Sequence, residues 1–208
     1  AARIMSAASE RATGPAVWSG KDFIEDDNWV FRLSSVDIQE IDKALCLAKR
    51  ISGPIQEITP IQFPLPHLGE RLQLLQKEIE SGRGFVVIKG IPVETYNDYE
   101  CKILSWGLCS YFGRGMQQSR QGDWINHVID LEGIESTTNP DLTHIVQRKE
   151  LRYSHKGGEL RWHTDTTDII GLFCLKTAKS GGNSRLASAG MVHNLILEKY
   201  PEFIDLLY

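Results

Sequence analysis

The sequence has no long hydrophobic run. No stretch reaches the roughly 18 apolar residues of a membrane-spanning helix, and the N-terminus has no apolar core typical of a secretory signal. Positive charge is not in excess either, because 23 Lys and Arg residues stand against 27 Asp and Glu residues, for a formal net charge of -4. Proteins that bind a phosphate backbone usually carry a basic surface. We therefore expect a soluble protein that binds no membrane and no nucleic acid.

Cysteine is scarce, and its four copies are not spaced as metal or disulfide motifs are. Cys46, Cys101, Cys109 and Cys174 include no C-x-x-C pair, so the sequence predicts neither a structural zinc site nor a disulfide framework. Free thiols are typical of a reducing compartment, and we expect a cytoplasmic protein. With 208 residues, 41% of them hydrophobic, the chain can bury the core of one globular domain.

The first half of the chain predicts helices around one short strand. Residues 1–30 show no sustained period and are interpreted as an extended N-terminal segment, which leaves 31–208 as the main domain. Apolar residues at intervals of three and four predict helices from Ser34 to near Gly53, from about Leu68 to Ser81 and from about Asn97 to Phe112. The apolar and β-branched run 84–90 is bounded by glycines and predicts a buried strand.

The second half consists of short alternating runs separated by Gly, Asn, Asp and Pro. Such spacing is typical of β-sandwiches and barrels. Strands are predicted at 124–129, 143–147, 160–165, 169–175 and 184–187, and a final helix at 189–200 ahead of Pro201. The fold class predicted is therefore α+β, with a helical layer followed by a β-sandwich or barrel.

One predicted strand contains the segment Arg161-Trp162-His163-Thr164-Asp165. Because side chains alternate along a strand, His163 and Asp165 should point to the same face. Two histidines and one carboxylate on one face are the ligands of many non-haem ferrous sites, so this pair predicts two of the three. An H-x-D pair alone is weak evidence, and a hydrogen-bonded structural His is the alternative. The apolar run after it and the Gly181-Gly182-Asn183-Ser184 element favour the metal site.

Together these elements resemble the TauD/TfdA-like iron(II)- and 2-oxoglutarate-dependent dioxygenases, particularly their fungal members. The matching elements are the glycine-bounded run at 84–92, Trp162-His163-Thr164-Asp165, and the paired glycines with a following hydroxyl at 181–184. Their order and spacing match the family over residues 80–208. The resemblance implies a double-stranded β-helix, a cupin-like jelly roll, with flanking helices.

The resemblance also implies the cofactors and the roles of three residues. Fe(II) and 2-oxoglutarate are the cofactors expected, with dioxygen and a small-molecule substrate as the other partners. His163 and Asp165 become the catalytic iron ligands, and Ser184 becomes a contact of the 2-oxoglutarate carboxylate. Ser184 stands where the family more usually has Thr, which keeps the hydroxyl donor and loses a methyl group.

Two further residues that the resemblance implies do not appear in this chain. The family has a second iron-binding His and a 2-oxoglutarate-binding Arg far downstream of the H-T-D element, whereas His193 is the sole later histidine here. His193 lies in a predicted helix where the family has no ligand, and Arg161 and Arg185 are weak substitutes for the Arg. We therefore expect the chain to be the N-terminal part of a jelly-roll domain, without its C-terminal portion.

The activity expected is oxidation of an unactivated C–H bond in a small organic acid or a secondary-metabolite intermediate. Asn126, His127, Tyr153 and His155 precede the metal pair and are candidate substrate contacts, with ordinary hydrogen-bonding roles as the alternative. Two other hypotheses stay open. One is an iron oxygenase of the same fold that does not use 2-oxoglutarate, and the other is a catalytically inactive binding or dimerisation fragment. A homo-oligomer is compatible with all three.

Overall fold

The computed structural model describes residues 10–119, 122–135, 137–138, 140–147 and 155–207. These residues divide into two compact units. The first comprises the described residues up to Gly113 and from Gly171 onward, and the second comprises those from Arg114 to Ile170. The first unit contains the larger hydrophobic core, and the second contains the segment that carries His163 and Asp165.

Three helices predicted for the first unit are confirmed. They are α1 (Ser35–Ala48), α2 (Leu68–Ser81) and α3 (Asp98–Cys109), and the first and third end a few residues earlier than predicted. The Ser34 hydroxyl accepts a hydrogen bond from the Asp37 amide, and the Asp37 carboxylate accepts one from the Ser34 amide. Asn97 and Glu100 form the same reciprocal pair at the start of α3. Such boxes satisfy amides that lack a partner in the first turn, so the local sequence determines where these two helices begin.

The start of α2 depends on another helix. His67, at its N-cap position, makes no capping bond with its side chain. Instead, the carboxylate of Glu40 in α1 accepts hydrogen bonds from the amides of His67 (2.9 Å) and Leu68 (3.1 Å). Glu40 is nearly buried, and a carboxylate at this end of a helix is also favoured by the helix dipole. Packing of α1 therefore completes the first turn of α2.

The core of the first unit joins these three helices to the loop before α2. Its fully buried side chains are Ile41, Phe63, Leu68, Leu72, Ile103 and Leu104. The Tyr111 hydroxyl fixes the loop, because it donates to the Phe63 carbonyl (2.9 Å) and accepts from the Leu65 amide (2.8 Å). Gly107 allows α3 to approach the Phe63 ring, since a Cβ at this glycine would lie 2.5 Å from Phe63 Cγ.

The strands of the described residues form one two-stranded parallel sheet. β1 (Val30–Arg32) pairs with β2 (Val87–Lys89), with Val30 opposite Val87. β2 confirms the strand predicted in 84–90, although it is shorter and half-buried. β1 is not predicted from the sequence, because three residues are too few to show an alternating pattern. Next to this sheet, the rings of Trp18, Phe23 and Phe85 meet edge to face at 5.2–5.3 Å and attach the N-terminal segment.

The second unit has one described helix, α4 (Pro140–Val146), where the sequence predicts a strand at 143–147. That prediction is wrong. Leu142, Ile145 and Val146 lie at helical intervals, and Leu142 and Ile145 bury themselves in a small cluster with Leu131, on which Val146 packs. Here the spacing of three and four outweighs the β-branched character of the run.

The strands predicted at 124–129, 160–165, 169–175 and 184–187 are also absent from the described residues. These runs are loops and bends, and large side chains in them, such as Val128 and Leu172, are exposed. A strand needs a neighbour that pairs with its amides and carbonyls, and the described residues provide none for these runs. The jelly roll implied by the family resemblance is therefore not seen in the described residues, whose regular structure is mostly helical.

The chain closes with a helix that the sequence predicts correctly. α5 (Ala189–Lys199) begins at the N-cap Ser188 and is followed by a 3-10 helix at Pro201–Leu207. Across the described ranges, no helix combines the length and the apolar character needed to cross a bilayer.

Candidate metal site

His163 and Asp165 approach each other although their segment is not a strand. The His163 Nε2 atom lies 3.9 Å from Asp165 Oδ1, and the two side chains are 53% and 52% exposed. The local backbone bends at Trp162 and then runs without regular structure to Thr164. The imidazole and the carboxylate therefore lie near each other, as the sequence predicts. The reason given by the sequence, alternation along a strand, does not hold in this structure.

A backbone carbonyl orients the His163 ring. His163 Nδ1 lies 2.7 Å from the carbonyl oxygen of Arg161. A carbonyl can only accept, so Nδ1 carries the proton and donates it to this bond. In the neutral ring Nε2 then has its lone pair free, and Nε2 is the atom that faces Asp165. Metal-bound histidines commonly donate their other ring N–H in this way, which determines the tautomer and the ring orientation.

The distance between the two donor atoms can be compared with what one metal ion requires. Bonds from a metal to imidazole nitrogen or carboxylate oxygen are about 2.0–2.2 Å long, so two neighbouring ligands lie about 3 Å apart. The observed 3.9 Å is about 1 Å wider. About half of each side chain is exposed, so a small side-chain rotation would bring the two donor atoms to that spacing. The two residues therefore fit a metal ion as part of its ligand set.

No third protein ligand joins the pair in the described ranges. Across those ranges no group of three or more His, Cys, Asp or Glu side chains has the spacing of a metal site. His193 is engaged elsewhere, because its Nε2 atom donates to the Glu10 carbonyl at 2.9 Å. His163 and Asp165 therefore stay the two predicted ligands, and two protein donors would leave most positions of an octahedral ion for other ligands.

Ser184 belongs to the first unit and follows two glycines. Gly181 and Gly182 have φ values of 73° and 71°, in the left-handed region that other residues avoid. The residues that follow them up to Ser188 have no regular structure, and Ser184 is exposed. The paired glycines of the sequence element therefore have a conformational role just before Ser184.

The candidate substrate contacts have varied surroundings. Asn126 and His127 are half-buried in an irregular segment. His155 is buried, and its carbonyl accepts a hydrogen bond from the Leu131 amide at 3.0 Å. Tyr153 lies outside the described residues. A contact with substrate stays a prediction for all four.

The Arg161 carbonyl is the functional group that the sequence does not indicate. Every residue has a backbone carbonyl, so the residue type at position 161 does not signal that this carbonyl accepts a hydrogen bond from the imidazole. The Arg161 side chain, considered above as a weak ligand for a carboxylate, is exposed. The contribution of this position comes from its backbone.

Comparison with known proteins agrees with the motifs. Residues 50–208 match the model of the family described as taurine catabolism dioxygenase TauD, TfdA family. The chain is 31% identical over 192 residues to the taurine hydroxylase-like protein SAT17 of Stachybotrys chartarum, an alignment that covers 91% of this chain and 48% of the relative. It is 26% identical over 199 residues to the FR-33289 synthase of Streptomyces rubellomurinus, covering 94% of this chain and 55% of the relative.

The chain thus spans about half the length of these two relatives. The family match covers residues 84–92, 162–165 and 181–184, which are the three elements that carry the resemblance in the sequence. The match confirms the family resemblance predicted from the sequence. The chain belongs to the TauD/TfdA family of iron(II)- and 2-oxoglutarate-dependent dioxygenases.

Proposed function

We propose that the full-length protein is an iron(II)- and 2-oxoglutarate-dependent dioxygenase that oxidises an unactivated C–H bond of a small organic acid or a secondary-metabolite intermediate. His163 and Asp165 would hold the iron, and Ser184 would bind the cosubstrate carboxylate. The observation that carries the proposal is the arrangement of the pair. His163 Nε2 is presented 3.9 Å from Asp165 Oδ1 while Nδ1–H is held by the Arg161 carbonyl.

Each of these groups has a distinct task in the proposed reaction. The bound iron, together with 2-oxoglutarate, supplies the oxidising chemistry. The Arg161 carbonyl accepts a hydrogen bond from Nδ1 of His163, which leaves Nε2 as the ring nitrogen that would bind the metal. Asp165 contributes a negative charge that offsets the charge of a divalent ion. The Ser184 hydroxyl can donate to a carboxylate oxygen.

The substrate class is proposed from the chemistry of the relatives. The name of the Stachybotrys chartarum relative refers to a taurine hydroxylase, so a small acid with a sulfonate group is the first class to test. An amino acid or a small acid of secondary metabolism is the next. A small anion of either kind would need a cationic side chain of the full-length protein to bind its charge.

The decisive experiment measures turnover of 2-oxoglutarate by the full-length protein loaded anaerobically with Fe(II). Addition of dioxygen and a small sulfonate is expected to give succinate in step with substrate oxidation. His163→Ala and Asp165→Ala are expected to abolish succinate formation. They should also weaken Mn(II) binding by more than the roughly 10–100-fold typical of losing an outer-sphere partner.

Asp168→Asn is the matched control, because Asp168 is an exposed aspartate three residues from Asp165. It should leave both Mn(II) affinity and succinate formation unchanged. Substrate oxidation without consumption of 2-oxoglutarate would refute the cosubstrate assignment. Unchanged Mn(II) affinity in both alanine variants would refute the metal site and favour a binding protein without catalytic activity.

A further inference from the structure

Residues 10–17 lie along α5 and are bound to it through buried polar groups; we call this segment the N-terminal clamp. Its first anchor is Asn194 of α5, which is 4% exposed. The Asn194 Oδ1 atom accepts a hydrogen bond from the Ala12 amide (2.8 Å), and Nδ2 donates to the Ala12 carbonyl (2.9 Å). The side-chain amide thus pairs with both backbone groups of one residue, as a neighbouring strand would.

The second anchor is Ser188, the N-cap of α5, which is 6% exposed. Its hydroxyl accepts a hydrogen bond from the Met191 amide (3.0 Å) and donates one to the Ala16 carbonyl (2.5 Å). One hydroxyl therefore starts the helix and binds the clamp at the same time. Between the anchors, Val17 packs so closely on Gly190 that a Cβ there would lie 2.8 Å from Val17 Cγ2.

The segment between Gly182 and Ser188 carries Ser184. Gly181 and Gly182 form its upstream boundary, and residues 183–187 are exposed and without regular structure. An exposed segment without regular structure has no backbone ladder to order it, so fixing its ends limits the conformations that it can adopt. The upstream end has two residues in a conformation that only glycine readily adopts, and the downstream end is held at Ser188 by the N-terminal clamp.

We propose that the N-terminal clamp positions Ser184 for 2-oxoglutarate, with Ser188 and Asn194 as positioning residues that touch neither the cosubstrate nor the metal. This inference rests on the proposed function of Ser184. A segment that is already ordered loses less conformational freedom when a ligand binds, so the clamp should strengthen cosubstrate binding specifically. His163 and Asp165 lie outside the clamped segment, and metal binding should not depend on it.

Two substitutions remove the clamp contacts while keeping the helix. Ser188→Asp retains an acceptor for the Met191 amide and so keeps the cap, but its carboxylate cannot donate to the Ala16 carbonyl. Asn194→Asp retains the acceptor for the Ala12 amide and loses the donor to the Ala12 carbonyl. Glu198→Gln is the control, because it removes only the exposed ion pair between α5 and Arg11 of the clamp, 3.6 Å apart, and leaves both buried anchors in place; exposed pairs of this kind contribute little.

The experiment compares these variants in the full-length protein by hydrogen exchange and by binding of 2-oxoglutarate in the presence of Mn(II). Amides of residues 183–187 should exchange about five- to tenfold faster in Ser188→Asp and Asn194→Asp than in Glu198→Gln. The dissociation constant of 2-oxoglutarate should rise several-fold, with the affinity for Mn(II) unchanged. Far-UV circular dichroism verifies that the helices persist in each variant. If the buried charge of Asn194→Asp prevents folding, Ser188→Asp alone tests the positioning role.

The possible outcomes separate this inference from the proposed function. If the wild-type protein binds 2-oxoglutarate but the variants bind it as tightly as Glu198→Gln does, the positioning role is refuted while the proposed function stands. If exchange at residues 183–187 is unchanged, the clamp does not order that segment and the inference is again refuted. If the wild-type protein does not bind 2-oxoglutarate with Mn(II), the proposed function fails and the positioning role fails with it.

Discussion

The core around α1, α2 and α3 and the segment that carries the metal pair acquire their conformations in different ways. In the core, side chains such as Phe63, Ile103 and Leu104 have no exposed surface, and capping residues set the helix ends. In the segment around His163, no regular structure is present and one carbonyl orients the ring. The comparison indicates that buried packing is concentrated in the helical layer, whereas the predicted metal ligands lie in an exposed segment without regular structure.

The strongest test of this contrast removes one large side chain from each region. Phe63→Ala should lower the free energy of unfolding by about 3–5 kcal/mol, because it leaves a cavity in the core between α3 and the loop before α2. Leu160→Ala, three residues before His163, removes a side chain that is 48% exposed and should change the free energy of unfolding by less than about 1 kcal/mol. Urea unfolding followed by circular dichroism measures both, and equal costs would contradict the contrast.

The substitution Asp37→Asn tests whether a buried ion pair adds to the free energy of unfolding of the helical layer. The Asp37 side chain is 6% exposed and bonds the Arg71 guanidinium at 2.7 Å. Burial alone would raise the pKa of Asp37, but hydrogen bonds from Ser34 and Arg71 outweigh it and lower the pKa below the usual value. Asp37→Asn keeps the helix cap and loses the ion pair, at a cost of about 1.5–3 kcal/mol at neutral pH.

The sign of the pH dependence follows from that lowered pKa. The stabilisation by ionised Asp37 is fully present above the unfolded-state pKa of about 3.9 and is lost as the pH falls through the lower folded-state value. The difference between wild type and Asp37→Asn should therefore shrink below about pH 4. Asp98→Asn, at an exposed carboxylate of α3, should cost no more than about 1 kcal/mol. A difference that grows on acidification would contradict the assignment.

Gly107→Ala tests the close approach of α3 to the Phe63 ring. The added methyl group would lie 2.5 Å from Phe63 Cγ, and overpacking of this kind costs about 1–3 kcal/mol, reduced by the better helix propensity of Ala. Gly113→Ala is the control, since a Cβ there meets nothing within 4 Å. Thermal unfolding should show a lower melting temperature for Gly107→Ala only, and equal melting temperatures would show that the helix can shift to accommodate the methyl group.

The smallest effect on stability is expected at the metal pair itself. Asp165→Ala removes a half-exposed side chain and should change the free energy of unfolding, measured in urea with a chelator present, by less than about 0.5 kcal/mol. The same variant should lose metal affinity, so that function and stability separate at this residue. A loss above about 1 kcal/mol would show that the carboxylate is part of the packing of its segment.

The sequence predicts the helical layer well because its signals are local. Ser34 and Asn97 are capping residues next to apolar positions three and four residues apart, and the helices that follow them are confirmed. The start of α2 is also predicted, although its cap, Glu40, lies 27 residues away from His67 in the chain and has no local signal. Helix prediction succeeds here because each helix carries its own pattern.

The strands of the second half are predicted poorly for a related reason. Alternation at 160–165 describes which side of a strand each residue would occupy, but a strand forms only when a neighbour pairs with its backbone. The described residues provide no such neighbour. The approach of His163 to Asp165 is nevertheless predicted from the sequence, because their identity and order carry the family pattern, whereas their role as iron ligands stays a prediction. The bond of Nδ1 to the Arg161 carbonyl and the N-terminal clamp depend on long-range or backbone contacts that no residue type indicates.

The capping of α2 by Glu40 has a consequence for how the helical layer folds. A helix whose first turn is completed by a side chain of another helix gains that stabilisation only after the two have docked. An isolated peptide of residues 66–82 should therefore be less helical than one of residues 33–50, which contains its own capping box. In the intact chain the same dependence makes α1 and α2 form and melt together, as one cooperative unit rather than as two independent helices.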